Sequence, residues 1–291
     1  MGADMADLNN DGFSEIFVTE MLPDRHDRRV SKAVFDSWDK YQFSLNQGYF
    51  HQFNRNALQL NNQNNSFSEI SRITGLDATD WSWGALIFDM DNDGNKDVFV
   101  ANGIYKDLLD QDYVNFLANP SIISNMIKSE KEPVKKLIDM IPSEPLTNFA
   151  FKNLGSLKFD NVSEEFGFDN KTFSNGSAYG DFDNDGDLDL VSSTVGMYYS
   201  GSAWVAYENI NGKLKIADTN IIIQPLDEWQ DAKIWGSMVQ SESNPWNTYC
   251  SKSILIDVNN DGLMDLLCDN AVQHHRMTNH FLINKGNMQL D

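Results

Sequence analysis

A nine-residue pattern, Asp-x-Asp/Asn-x-Asp-Gly-x-x-Asp/Glu, occurs four times in this 291-residue chain and limits its fold more than any other feature. The copies begin at Asp7, Asp89, Asp181 and Asp257. Each runs directly into apolar residues: Ile16-Phe17-Val18, Val98-Phe99-Val100, Leu190-Val191 and Leu266-Leu267. Four residues before each first aspartate stands a small residue, Ala3, Ala85, Ser177 or Ser253, and in three copies a glycine precedes it, Gly2, Gly84 or Gly176. Short apolar runs on either side of an Asp/Asn/Gly cluster read as strand, turn, strand.

The repeat extends beyond the turn. Asn56, Asn61 and Phe67 recur at the same spacing as Asn148, Asn153 and Phe159, each set opening 33 residues before the next first aspartate, and Asn279, Asn284 and Leu290 begin it again. Alternation and β-propensity give four strands per unit. In the second unit these are Ser82–Phe88, Asp97–Ala101, Asn148–Asn153 and Lys158–Ser163. The expected fold is all-β: one repeat domain over residues 1–291, a β-propeller of four-stranded antiparallel blades. The units span about 1–80, 81–173, 174–248 and 249–291. The last is incomplete, and the chain reads as part of a larger propeller or as an unusual four-bladed closure. A plain blade needs about 40–50 residues, so these units carry insertions, at 22–55, 104–147 and 218–249. In an up-and-down meander all three leave the face opposite the turns. The second reads as helical, with Asn119-Pro120 and Glu132-Pro133 resembling N-cap/N1 pairs.

Calcium takes six to eight oxygens at about 2.3–2.6 Å. A short turn supplies them with side-chain oxygens at positions one, three and five, a backbone carbonyl at seven and a carboxylate at nine. The expected ligands are Asp7, Asn9, Asp11, Phe13 and Glu15 in the first loop, and Asp89, Asp91, Asp93, Asn95 and Asp97 in the second. The third offers Asp181, Asp183, Asp185, Asp187 and Asp189, and the fourth Asp257, Asn259, Asp261, Leu263 and Asp265. Up to four calcium ions are expected. An EF-hand would need a bidentate Glu at position twelve and flanking helices. Position twelve is Val18, Val100, Ser192 or Cys268, so that reading fails. A metal-free turn would leave the four carboxylates of loops two and three repelling one another, and magnesium prefers few protein ligands and retained water.

The net charge of −21, from 43 acidic and 22 basic residues, fits bound cations and argues against nucleic acid as a partner. No apolar run is long enough to span a membrane. Met1-Gly2-Ala3-Asp4 lacks the features of a secretory leader, and composition does not choose between the cytoplasm and export directed from outside this stretch. Cys250 and Cys268 flank the fourth loop, as a disulfide or as two core thiols.

At these loops the chain resembles the FG-GAP/VCBS repeat family, calcium-loop β-propellers that include integrin α-subunit heads. Asp80-Trp81-Ser82-Trp83-Gly84-Ala85, Ala101-Asn102-Gly103 and the segment 55–62 are similar to bacterial ASPIC/UnbV-associated repeat proteins related to cartilage acidic protein. That likeness covers about residues 1–190; beyond Val191 only the fourth loop and the Asn279 unit match. The resemblance implies an extracellular or outer-membrane, cell-surface location. It also implies a binding or cell-adhesion role, with a glycan or protein held on the face opposite the calcium loops. The alternatives are a polysaccharide lyase or hydrolase on the same scaffold, or a structural spacer. No GxSxG, HExxH, P-loop or dinucleotide motif occurs, so no catalytic or organic-cofactor residue is nominated. Trp38, Tyr41, Tyr49, Phe50, Trp229, Trp235 and Trp246 fall in the insertions, either as a stacking surface or as packing. Trp81 and Trp83 read as core. His274-His275, with His280 nearby, are poorly placed for joint ligation, and Arg25, Arg28 and Arg29 read as a solvated helix start.

Overall fold

The computed structural model describes residues 1–33, 37–195, 202–217, 252–269 and 280–286. The third insertion with its three tryptophans, Cys250, His274, His275 and Asn279 lie outside them. Strands β1 (Ala3–Ala6), β2 (Glu15–Val18), β3 (Ala57–Asn61) and β4 (Phe67–Glu69) form the first antiparallel sheet, in chain order. β5 (Ser82–Phe88), β6 (Asp97–Asn102), β7 (Phe149–Asn153) and β8 (Phe159–Asn161) form the second. The third holds β9 (Ser174–Gly180), β10 (Asp189–Val195), β11 (Ser202–Asn209) and β12 (Leu214–Ile216). The fourth, as described, has β13 (Lys252–Ile256), β14 (Asp265–Asp269) and β15 (His280–Leu282). The all-β architecture of repeated meander sheets is therefore observed. The first strands of successive sheets lie against one another, β1 on β5, β5 on β9 and β9 on β13. No contact of that extent joins the fourth sheet to the first among the described residues, so ring closure is not part of the observed fold.

Period-two alternation explains the stacking. Leu8, Phe17 and Leu58 of the first sheet meet Ala85, Ile87, Val98, Val100 and Phe151 of the second. Phe88, Met90, Phe99 and Ala101 on the other face of the second sheet meet Leu190, Tyr207 and Leu214 of the third. Ala178, Phe182 and Val191 then meet Leu255 and Leu266 of the fourth. Each large side chain buried this way contributes about 1.5–3 kcal/mol. The glycine before the first strand is there because sheets approach closely: a Cβ at Gly2 would lie 2.3 Å from the Trp83 carbonyl oxygen.

The first two insertions join β2 to β3 and β6 to β7, at the end of the sheets opposite the acidic turns. The first contains α1 (His26–Lys32) and α2 (Trp38–Asn46). A one-turn helix α3 (Ser71–Thr74) follows β4. The second insertion contains α4 (Gln111–Leu117), α5 (Pro120–Ser129) and α6 (Pro133–Asp139). Asn119 caps α5 by accepting from Ser121 N and Ile122 N, whereas Glu132 makes no side-chain cap and α6 begins on Pro133 alone. Trp81 and Trp83 are half-buried rather than core, their rings stacked 6.3 Å apart.

The basic cluster corrects the sequence reading. Arg28 is buried, not solvated. Its guanidinium donates to both oxygens of Asp80, at 2.5 and 3.0 Å, to Asp107 at 2.9 Å and to Glu144 at 2.7 Å. Arg25 donates to the other Glu144 oxygen at 2.7 Å, and Lys32 pairs with Asp110. These charges tie the first insertion to the second and to the link into β5.

Candidate metal centre

All four acidic turns follow one backbone path. The asparagine at position four is left-handed each time, with φ of 58° at Asn10, 58° at Asn92, 65° at Asn184 and 60° at Asn260. Gly12, Gly94, Gly186 and Gly262 follow at φ of 89–99°, where an L side chain is strained. The aspartate at position one accepts from the N–H groups at positions five and six: Asp89 from Asp93 N at 3.1 Å and Gly94 N at 2.8 Å, Asp181 from Asp185 N and Gly186 N, both at 3.1 Å. Asp7 and Asp257 do the same. Position five accepts at 2.9 Å from the N–H of position seven, namely Phe13, Asn95, Asp187 and Leu263, the residues whose carbonyls are the expected backbone ligands.

These bonds gather the carboxylates. Oxygens of Asp89, Asp91 and Asp97 lie within 4.8 Å of one another, and so do those of Asp181, Asp183 and Asp185. The trio of the second loop includes position nine and that of the third loop includes position five, so each of these loops brings together three of its four expected side-chain carboxylate ligands. In the first and fourth loops position three is an amide, and Asn9 and Asn259 turn their Nδ2 toward Asp11 at 3.1 Å and Asp261 at 2.8 Å.

Position nine has a second role. Glu15, Asp97, Asp189 and Asp265 are fully buried. One oxygen of each accepts from the N–H at position two: Leu8 at 2.8 Å, and Met90, Phe182 and Val258 at 2.9 Å. In the last three the other oxygen accepts from the N–H of an asparagine at or just past the end of the third strand, Asn153 at 2.7 Å, Asn209 at 2.8 Å or Asn284 at 2.8 Å. The carboxylate thus pins the turn to its own sheet. Burial raises Asp97 and Asp189 to about 7 against the pull of these N–H groups, and the nearby loop charges push the same way. Burial, then the charge of Asp185, raises Asp183 too.

Of the buried carboxylate oxygens of the turns, two have no hydrogen-bond partner among the described residues, Asp91 Oδ1 and Glu15 Oε1. In the other three loops the position-three oxygen accepts from the N–H of position five. A buried acceptor left unpaired costs about 1–3 kcal/mol, more when charged, and a hard dication held by carboxylates removes that cost. The donor set therefore fits calcium. The turns stand side by side: Asn10 Nδ2 donates to Asn95 Oδ1 at 3.3 Å, and Asn92 Nδ2 to Asp187 Oδ1 at 2.5 Å.

Sequence reasoning missed one participant. Lys152, on β7 just before Asn153, places its ammonium against Asp91 and, at 3.3 Å, against Asp93. The matching residue of the third unit is Glu208, whose charge acts on Asp183. The second loop thus has a protein cation beside it and the third has an extra carboxylate. A unit charge about 4 Å away is worth about 4 kcal/mol at an effective dielectric of 20. Lys152→Met should therefore tighten calcium at the second loop by at least about tenfold. Titration calorimetry of the variant showing the same affinities as the parent would dismiss that role.

The structure thus defines a class: a propeller-like repeat protein of antiparallel sheets, each carrying an aspartate-rich turn between its first two strands. Within it, residues 43–100, which include the second loop and most of β6, match the FG-GAP-like repeat. No curated protein matches the chain. Among the described residues no helix is long and apolar enough to cross a membrane.

Proposed function

We propose that this chain is a calcium-stabilised module, in the extracellular space or on a cell surface, that binds a glycan or a protein without turning it over. The observation that carries the calcium half is the convergence of Asp89, Asp91 and Asp97 around an oxygen, Asp91 Oδ1, that no protein donor reaches. Calcium on this reading is structural, because the turns it fills lie at the opposite end of the sheets from the insertions. The FG-GAP-like match supports this location, since repeats of that kind occur typically in surface and secreted proteins. The ligand side is the insertion end. Helix α2 buries none of its residues, and Trp38, Tyr49 and Phe50 are exposed at 70%, 63% and 88%. Tyr41 stacks on Phe53 at 6.1 Å and packs against Trp38 at 5.5 Å, giving a preformed aromatic surface of the kind that stacks on sugar rings or anchors a protein partner.

A panel of immobilised glycans and surface proteins, probed in calcium, tests this. We expect at least one ligand whose binding falls about tenfold or more in Trp38→Ala/Phe50→Ala, as for loss of an aromatic anchor, with the calcium-dependent melting temperature unchanged. Release of reducing ends or unsaturated uronates from a polysaccharide would replace this reading with an enzyme. A panel without hits would leave a spacer.

A further inference from the structure

At each of the three described junctions between sheets, one asparagine side chain holds two acidic turns at once. Asn153 donates Nδ2 to the carbonyl of Lys96, position eight of its own turn, at 2.9 Å, and to that of Leu8, position two of the preceding turn, at 2.7 Å. Asn209 does the same with Leu188 at 3.2 Å and Met90 at 2.9 Å, and Asn284 with Met264 at 3.1 Å and Phe182 at 2.9 Å. The backbone N–H groups of these three asparagines hold Asp97, Asp189 and Asp265, the position-nine carboxylates of their own turns.

Joined end to end, these bonds make a relay from one turn to the next. Asp189 of the third turn accepts from Asn209 N at 2.8 Å, Asn209 Nδ2 reaches the Met90 carbonyl, and Met90 N donates to Asp97 of the second turn at 2.9 Å. The same series runs from Asp265 through Asn284 and Phe182 to Asp189, and from Asp97 through Asn153 and Leu8 to Glu15. An ionised carboxylate offers about four lone-pair sites, so the two N–H groups on Asp97 or on Asp189 leave room for an ion. A second contact reinforces the link between the second and third turns. Asn209 Oδ1 accepts from Gly212 N at 3.0 Å, and a Cβ at Gly212 would stand 3.0 Å from the Asp91 carbonyl oxygen. The hairpin that follows Asn209 therefore rests on position three of the second turn, the residue with the unpartnered Oδ1.

We infer that Asn209 is a positioning residue for two calcium sites at once, and that through it the second and third turns bind calcium with positive cooperativity. The inference rests on calcium being the ion of these turns. Whichever ion arrives first fixes its position-nine carboxylate and so orders Asn209, and the second ion then meets a turn already held in place. Hydrogen bonds in series also strengthen one another. Charge alone acts the other way, because two neighbouring dications repel. The sign of the coupling therefore separates the relay from simple electrostatics. The third turn fills first, since Glu208 adds negative charge near it while Lys152 stands beside the second. The second turn is accordingly where the coupling is read.

Amide hydrogen exchange of the full chain, followed peptide by peptide across a calcium titration, gives a midpoint for each turn. Asp183→Ala removes a ligand of the third turn but no member of the relay. It should raise the calcium midpoint of the second turn about three- to tenfold, what one net hydrogen bond is worth. Asn209→Ala should raise that midpoint by itself, and adding Asp183→Ala to it should then change nothing further. Asn153→Ala, an equal loss at the neighbouring junction, should leave the response to Asp183→Ala intact, which a purely structural role for Asn209 does not predict. If Asn209→Ala does not fold, Gly212→Ala takes its place, because it pushes the same hairpin off Asp91 and should weaken the coupling. A second-turn midpoint that Asp183→Ala leaves unchanged or lowers would overturn the inference while the calcium reading stands. A response that survives Asn209→Ala would overturn the role of that residue. Turns that calcium does not protect at all would remove the calcium reading itself, and the coupling with it.

Discussion

Removing calcium is expected to lower the melting temperature of this protein by about 10–20 °C, reversibly. A site held at a hundred times its dissociation constant adds about 2.7 kcal/mol to the folded state. The second and third loops together thus supply about 5 kcal/mol, and chains near this size shift by about 2–4 °C per kcal/mol. The physical source is the repulsion left behind. Without the ion, Asp181, Asp183 and Asp185 face one another within 4.8 Å, while Asp89, Asp91 and Asp97 have Lys152 as a nearby cation. The third loop should therefore suffer more, and Asp183→Ala, which removes the position-three oxygen outright, should remove about half of the calcium-dependent shift. Scanning calorimetry with EGTA, then with calcium restored, reads this directly. Magnesium at equal concentration should restore less, because it keeps its own water and fits a crowded set of carboxylates poorly. Equal transitions in EGTA and in calcium would remove the metal reading altogether.

What the sequence made legible is what a single segment encodes. The strand bounds of the second unit follow from alternation within each segment, and Ser82–Phe88 is observed with those bounds. The turn conformation is written in Asn and Gly at positions four and six, the residue types that tolerate positive φ. The helix start at Asn119-Pro120 is equally local. What stayed hidden depends on partners far along the chain. The recurrence of Asn61, Asn153 and Asn284 was visible, but its meaning was not, because the acceptor of each cross-sheet bond belongs to the preceding unit. Lys152 looked like any polar residue near a strand end until β7 was placed beside the second loop. Arg28 misled most. Its chain neighbours are charged and exposed, while Asp80, Asp107 and Glu144, which draw it inward, are 52, 79 and 116 residues away. The aromatic pair at Trp81 and Trp83 was read as core because it opens an inner strand. It sits instead where that strand leaves the sheet, with Trp83 Nε1 donating to the Gly103 carbonyl at 2.6 Å.

Arg28→Ala is expected to cost about 3–5 kcal/mol, the usual range when one member of a buried ion pair is removed. The loss comes less from the missing attraction than from what remains. Asp80 and Asp107 are nearly fully buried, and without the guanidinium their charges have no full partner in a region closed to water. Lys32 does not replace it, since its ammonium is committed to Asp110 and stands 4.0 Å from Asp107. Two further measurements separate this from general damage. The cost should be nearly equal with and without calcium, because the cluster lies at the insertion end of the sheets and shares no residue with the turns, and distant sites add. The double variant Arg28→Met/Asp80→Asn should cost less than the sum of its single changes, because Arg28→Met strands the Asp80 charge that the double change removes, while Asp107 stays buried in both. Denaturant unfolding of the parent, Arg28→Ala, the two single changes and the double variant, with and without calcium, gives these numbers. If Arg28→Ala stayed within about 1 kcal/mol of the parent, the value of an exposed ion pair, the insertions would have to be held on the sheets by apolar contacts alone.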